Sequence, residues 1–146
     1  MIVIADSNLL ISGLYNPNGA IVEILTSKSK IQLTAPDFIY VEINHYLADI
    51  AAATGKSKIQ IKNDLKVLTE KITFYKSTDI QREFIRNAFE IVKDIDEDDL
   101  FFVALHLQTK HKIWTGDKQL INGLLAKGYD ICVTTKELKK MLYKKD

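Results

Sequence analysis

Cysteine is nearly absent: Cys132 is the only one in 146 residues. No intrachain disulfide can form, a reducing compartment is compatible, and no Cys/His set has zinc-site spacing. Its setting, Ile131-Cys132-Val133, predicts a small buried hydrophobe. Two prolines and six glycines are too few for a collagen-like chain, and neither a low-complexity linker nor an internal repeat is present. No apolar run approaches the length of a membrane span, and the amino terminus enters a strand with no basic leader and long apolar segment before it. The expectation is a cytoplasmic protein without a secretory signal. A formal net charge of +1 makes no overall demand for a nucleic-acid or membrane partner. A glycine-rich phosphate loop after the first strand and a Gly-x-Ser-x-Gly elbow are both missing.

What is present is an ordinary globular mixture, 47% hydrophobic and 27% charged, long enough to bury a core. Short apolar runs alternate with longer helical ones. Strands are expected at Ile2 to Ala5, Ile31 to Ala35, Ile72 to Tyr75, Ile113-Trp114 and Ile131 to Val133. A helix carrying Ile21, Val22, Ile24 and Leu25 follows the turn Asn16-Pro17-Asn18-Gly19. Pro36 suits a helix start, with Phe38, Ile39, Val41, Ile43 and Leu47 as the apolar face. Gly55 ends that helix, and Ser57 opens the next, with Ile59, Ile61, Leu65 and Leu68 apolar. Thr78 or Asp79 caps a helix running to about Lys93. Thr134 or Thr135 caps a closing helix. This alternation predicts one α/β/α domain over residues 1–146, with a central, mostly parallel sheet of about five strands.

Charge is unevenly placed. Asp94 to Asp99 holds five acids in six positions, and Lys136 to Lys145 holds five lysines against one glutamate. The acidic run opens a helix, where carboxylates complement the positive end of the dipole. The basic tail reads either as a solvated helix face or as a tracker of phosphate.

Four acids stand where elements begin or strands have just ended: Asp6 after Ile2-Val3-Ile4-Ala5, Glu42 in the helix opened by Pro36-Asp37, Asp99 before Leu100-Phe101-Phe102-Val103-Ala104-Leu105, and Asp117 after Ile113-Trp114-Thr115-Gly116. In a parallel sheet, residues past the carboxyl ends of strands converge on one crevice. Four carboxylates there repel one another unless divalent cations neutralise them. Each acid also has a plain structural role open to it. Asp6 and Asp117 can be N-caps, Asp96 and Asp99 first-turn acids, and Glu42 an exposed helix residue.

The ordered set resembles the PIN domain family, metal-dependent nucleases that include the toxin halves of VapBC-type toxin–antitoxin pairs. The resemblance covers nearly the whole chain. It is carried by Ile4-Ala5-Asp6-Ser7-Asn8-Leu9-Leu10-Ile11-Ser12, by Val41-Glu42-Ile43, by Asp96 to Leu105 and by Lys112-Ile113-Trp114-Thr115-Gly116-Asp117-Lys118-Gln119-Leu120. It implies the strand order 3-2-1-4-5. It also implies an endoribonuclease using Mg²⁺ or Mn²⁺, plausible as the toxin of a type II pair, with an RNA substrate, a cognate antitoxin and a homodimeric assembly. Asp6, Glu42, Asp99 and Asp117 would be the catalytic set, with Asp6, Asp99 and Asp117 as metal ligands, direct or through water, and Glu42 bridging through water or orienting the attacking one. Hard divalent ions take such oxygen ligands, keep several waters and accept substrate phosphate. Ser7, Asn8, Asp96 and Thr115 would support the set. Lys118, Lys136, Lys139 and Lys140 are the candidates for RNA contact at the rim.

The sequence departs from the family pattern in two places. The acidic cluster is richer than the pattern requires, so Asp96 and Asp98 compete with Asp99. Trp114 fills a strand position usually held by a smaller residue, and core packing is its expected role. Glu42 and His45 share a helix face, but no second copy supports a di-iron bundle. His106 and His111 flank a helix end in surface or partial-core roles. A haloacid dehalogenase-type phosphatase would need acids where Asn8 and Ile121 stand. A catalytically inactive module that keeps the fold to bind RNA or a partner is the remaining alternative.

Overall fold

The computed structural model describes residues 1–27 and 30–143. Lys144 and Lys145 of the basic tail lie outside the described residues. The strands are β1 (Ile2–Ala5), β2 (Gln32–Pro36), β3 (Ile72–Tyr75), β4 (Lys112–Trp114) and β5 (Cys132–Val133). The helices are α1 (Ser7–Tyr15), α2 (Ala20–Thr26), α3 (Phe38–Thr54), α4 (Lys58–Thr69), α5 (Arg82–Val92), α6 (Leu100–Thr109), α7 (Lys118–Ala126) and α8 (Thr135–Leu142). Short 3₁₀ turns precede α5 (Ser77–Asp79) and α6 (Glu97–Asp99).

All strand pairs are parallel and the sheet order is β3-β2-β1-β4-β5, as expected. A central strand covered on both faces needs a continuous apolar run, and Val3, Ile4 and Ala5 are fully buried. The chain steps from β1 to β2 to β3, then returns across the sheet to place β4 on the other side of β1. With right-handed crossovers, that reversal sends the later helices to the opposite face. Accordingly α1, α2, α3 and α4 pack on one another, α5 packs on α6, and α8 returns to α2. The result is a three-layer α/β/α arrangement whose switch point lies between β1 and β4.

Several local expectations give way to their surroundings. Pro36 ends β2 opposite Tyr75 instead of opening a helix. Its fixed φ suits extended backbone, and a strand end tolerates a missing N–H. Helix α3 starts at Phe38, after the Asp37 amide donates to the Tyr75 carbonyl at 2.8 Å. Thr78 and Asp79 lie in a 3₁₀ turn, and α5 opens at Arg82 with Gln81 as its N-cap. Gln108 fixes this break, accepting from the Gln81 amide at 2.8 Å and donating to the Asp79 carbonyl at 3.0 Å. Val41 and Ile59 were expected on buried faces but are 62% and 73% exposed. Their helices already fill the interior with Ile39, Ile43, Leu47, Ile61, Leu65 and Leu68. Cys132 is half-buried, and burial pushes its thiol up to about 12, so the group is unreactive. Ser57 and Gln60 form a reciprocal capping box on α4, and Thr134 does so with Glu137 on α8. Trp114 is fully buried and donates to the Thr135 hydroxyl at 3.0 Å.

Candidate active site

The crevice lies at the carboxyl edge of β1 and β4, where an open parallel sheet changes direction. Asp6 follows β1, and its amide donates to the Trp114 carbonyl at 3.1 Å, extending the ladder by one rung. Asp117 lies three residues past the end of β4. Asp6, Asp99 and Asp117 occupy the N-cap positions of α1, α6 and α7. Glu42 reaches the crevice from the second turn of α3. The space enclosed is about 350 Å³, lined by Asp6, Ser7, Asn8, Glu42, Asp99 and Asp117 together with Asp96 and Asp98.

The capping alternative divides these acids. Asp117 does cap: its carboxylate accepts from the Gln119 and Leu120 amides at 3.0 and 3.3 Å. Asp96 likewise accepts from the Asp98 amide at 3.0 Å. Asp6 and Asp99 sit at N-cap positions without making a side-chain cap bond. The Asp6 carboxylate still feels the Ser7 and Asn8 amides at the start of α1, which help to hold its pKa down, whereas Asp99 leaves the amides of α6 alone and is not there for the helix.

A hydroxyl network holds the set instead. Thr115, fully buried, donates to Asp6 Oδ2 at 2.7 Å and accepts from the Asp117 amide at 3.0 Å. Ser7 donates to Glu42 Oε1 at 3.0 Å and lies 3.4 Å from Asp6 Oδ1. Its one proton therefore serves the shorter bond. Asn8 is exposed at the crevice wall.

Electrostatically the set is under load. Burial drives Asp99 up to about 8, and the charges of Asp6, Asp96, Asp117 and Glu42 add to the effect. Glu42 is pushed to about 7, chiefly by burial, with the Ser7 hydroxyl opposing. Asp6 is also raised by burial and by Asp117, against the Thr115 hydrogen bond. Asp99 Oδ2 is a buried oxygen without a hydrogen-bond partner among the described residues. Buried acceptors are normally satisfied, so this atom is placed for something else.

An oxygen-only donor set of crowded carboxylates, one with an orphaned oxygen, fits a hard divalent cation. Among the described residues no group of three or more acidic, histidine or cysteine side chains stands ready-made around one point. An ion would therefore take part of its coordination from water or substrate oxygen, as Mg²⁺ commonly does. Asp6, Asp99 and Asp117 are the residues that would hold it.

The rim lysines are placed differently. None of Lys118, Lys136, Lys139 and Lys140 lines the crevice. Lys118 and Lys136 lie in the first turns of α7 and α8, while Lys139 and Lys140 lie in the last turn of α8. His106 is half-buried, its Nδ1 2.6 Å from the His111 carbonyl oxygen, and takes no part in the crevice. The structure adds Ile11, Tyr15, Tyr46 and Asp49 to the lining. Helical spacing from Ser7 and Glu42 was the signal that could have found them.

Fold and crevice together define a switch-point α/β protein with an acidic centre. The chain belongs to the PIN domain family, a family of nucleases, whose model matches residues 4–143. Among solved structures, that of VapBC2 from Rickettsia felis bound to a DNA fragment from its promoter is similar in fold. The TM-score is 0.63 and the identity 11%, over 92% of this chain and 97% of that one. No curated protein sequence matches the chain. No helix among the described residues is long and apolar enough to cross a membrane.

Proposed function

We propose that this chain is a Mg²⁺- or Mn²⁺-dependent endoribonuclease, acting in the cytoplasm as the toxin of a type II toxin–antitoxin pair. The observation that carries the reading is the pair Asp6 and Asp99. Both are buried at helix N-termini in a crowded acidic crevice, Asp6 is held there by the Thr115 hydroxyl, and Asp99 leaves its helix uncapped and keeps an orphaned oxygen. When bound, a hard divalent cation here supplies Lewis acidity toward a phosphodiester oxygen and offsets the carboxylate charge.

The chain's own part is positioning and proton transfer. Thr115 fixes Asp6 and sets the turn into Asp117, so the β1 and β4 acids move as one unit. Ser7 holds one oxygen of Glu42, leaving the other to accept a proton from water attacking phosphorus as the leaving P–O bond breaks. A carboxyl near neutrality is suited to such a transfer. Membership of a nuclease family supports the nuclease activity, and the fold likeness to the VapBC2 complex supports an antitoxin partner; RNA as the substrate is part of the proposal. The reading includes a homodimer that would cover exposed Ile59 and Val67 on α4 and Phe89 on α5. Light scattering at micromolar concentration should then give twice the 16.6 kDa chain mass.

The test is cleavage of single-stranded RNA with manganese, with magnesium and with a chelator. Cleavage should require the ion and be lost in Asp6→Asn, Asp99→Asn and Asp117→Asn. Binding without cleavage under every condition would assign the chain to the inactive alternative.

A further inference from the structure

The crevice does not end at the carboxylates. It continues as a groove between α1 and α3, and its lining follows two helical faces. On α1, Ser7, Ile11 and Tyr15 stand at i, i+4 and i+8; on α3, Glu42, Tyr46 and Asp49 stand at i, i+4 and i+7. Residues so spaced share a face, and all six line the same space. At 1.5 Å per residue, Tyr46 lies about 6 Å along its helix from Glu42, and Tyr15 about 12 Å from Ser7.

The two tyrosines are 46% and 43% exposed. Neither phenol makes a hydrogen bond among the described residues; the Tyr46 ring meets the neighbouring His45 ring in a T-shaped contact, centroids 5.0 Å apart, and is still 43% exposed. A single exposed aromatic needs no explanation. Two on facing helices, in one groove whose other end is the acidic centre, form a site. Beside Tyr46, away from the carboxylate centre, the wall also carries Asp49, which disfavours phosphate in this stretch. An uncharged planar group is what it can take. Bases stack on aromatic rings with little regard to sequence, and a base can reach such a ring only when it is not already paired inside a duplex.

We infer that Tyr15 and Tyr46 form a stacking subsite for an unpaired nucleobase of single-stranded RNA, next to the nucleotide whose phosphate meets the carboxylates. This rests on the nuclease reading above and adds to it a position for the base, held by rings, with the phosphate left to the acidic centre.

Binding is measured with a short single-stranded oligoribonucleotide carrying the fluorescent base aminopurine. The protein carries Asp99→Asn, so that binding is read without cleavage. Stacking should quench the fluorophore. Tyr15→Ala and Tyr46→Ala should each weaken binding roughly tenfold and reduce the quenching. Tyr15→Phe and Tyr46→Phe keep the rings and should behave as the parent, and a duplex carrying the same fluorophore should show no quenching on addition of protein. Unchanged affinity and quenching in the alanine variants would overturn the subsite, as would phenylalanine variants as weak as the alanine ones. The two readings fail separately. Wild-type protein that cleaves RNA, with alanine variants that bind as the parent does, removes the subsite alone. Ring-dependent quenching by a chain that cleaves no RNA removes the nuclease reading and leaves the subsite.

Discussion

Asp99 carries the heaviest electrostatic load at the residue scale. Burial and four neighbouring carboxylates both favour its neutral form, and the result is a group pushed to about 8. Glu42 follows at about 7. In the unfolded chain both return to the ordinary range near 4. Between those values the folded state binds more protons than the unfolded one, so stability falls as pH rises. Metal-free protein should therefore lose melting temperature steadily from about pH 4 to pH 8 and level off above. Asp99→Asn removes the larger share of that slope. It should match wild type at and below about pH 4 and melt increasingly higher from there to about pH 8, read by calorimetry with a chelator present. Equal slopes in the two proteins would show that Asp99 is not under this load. The acids themselves were legible in the sequence because each follows a strand or opens a helix. Tyr15, Tyr46 and Asp49 carry only the fainter signal of helical spacing from Ser7 and Glu42, which marks a shared face but not the wall opposite it.

At the element scale, the acidic turn depends on a close approach. Gly123 of α7 lies against Ile95, and a Cβ at that position would come within 2.9 Å of the isoleucine side chain. Ile95 immediately precedes the turn that carries Asp96, Asp98 and Asp99. Gln119 of the same helix donates to the Ile95 carbonyl at 2.8 Å, tying α7 to that turn a second time. Gly123→Ala should overpack this contact, costing about 1–3 kcal/mol, and should displace Asp99. Urea denaturation would show the lower midpoint, and cleavage should fall further than the stability loss explains. Wild-type midpoint and activity would mean that Ile95 repacks freely. This contact shows where sequence reading stops. The strands and helices were legible from period and capping, since Ser57 with Gln60 and Thr134 with Glu137 are local signals. The approach of α7 to Ile95 joins positions far apart in the chain. The exposure of Val41 and Ile59 was illegible for a related reason: apolar periodicity does not say how many positions the neighbouring layer has room to cover.

At the scale of the whole molecule, parallel order follows from strand–helix alternation, but the sequence alone does not say on which side of β1 the fourth strand docks. The family resemblance supplied that order, and the observed register agrees with it. The same topology sorts the lysines. α7 and α8 both start at the carboxyl edge of the sheet, so Lys118 and Lys136 stand at that edge, while Lys139 and Lys140 are carried about a turn away. Each phosphate contact on a single strand contributes roughly 0.7 to the logarithmic salt slope of binding. Lys118→Ala and Lys136→Ala should each flatten the slope by about that amount, and the double change at Lys139 and Lys140 by less. A larger effect from the pair would place the RNA path along α8.

The claim beneath all of this is that the carboxylates exist to hold a cation. Near pH 7, Asp99 and part of Glu42 carry protons in the metal-free protein, and a ligand carboxylate must be deprotonated to bind. Manganese binding should therefore release protons. Isothermal titration at pH 7 in two buffers of different ionisation enthalpy measures that release. Wild type should release protons on binding manganese, and Asp99→Asn should bind more weakly and release fewer. Manganese binding with no proton release, or with affinity and release unchanged by Asp99→Asn, would contradict that claim.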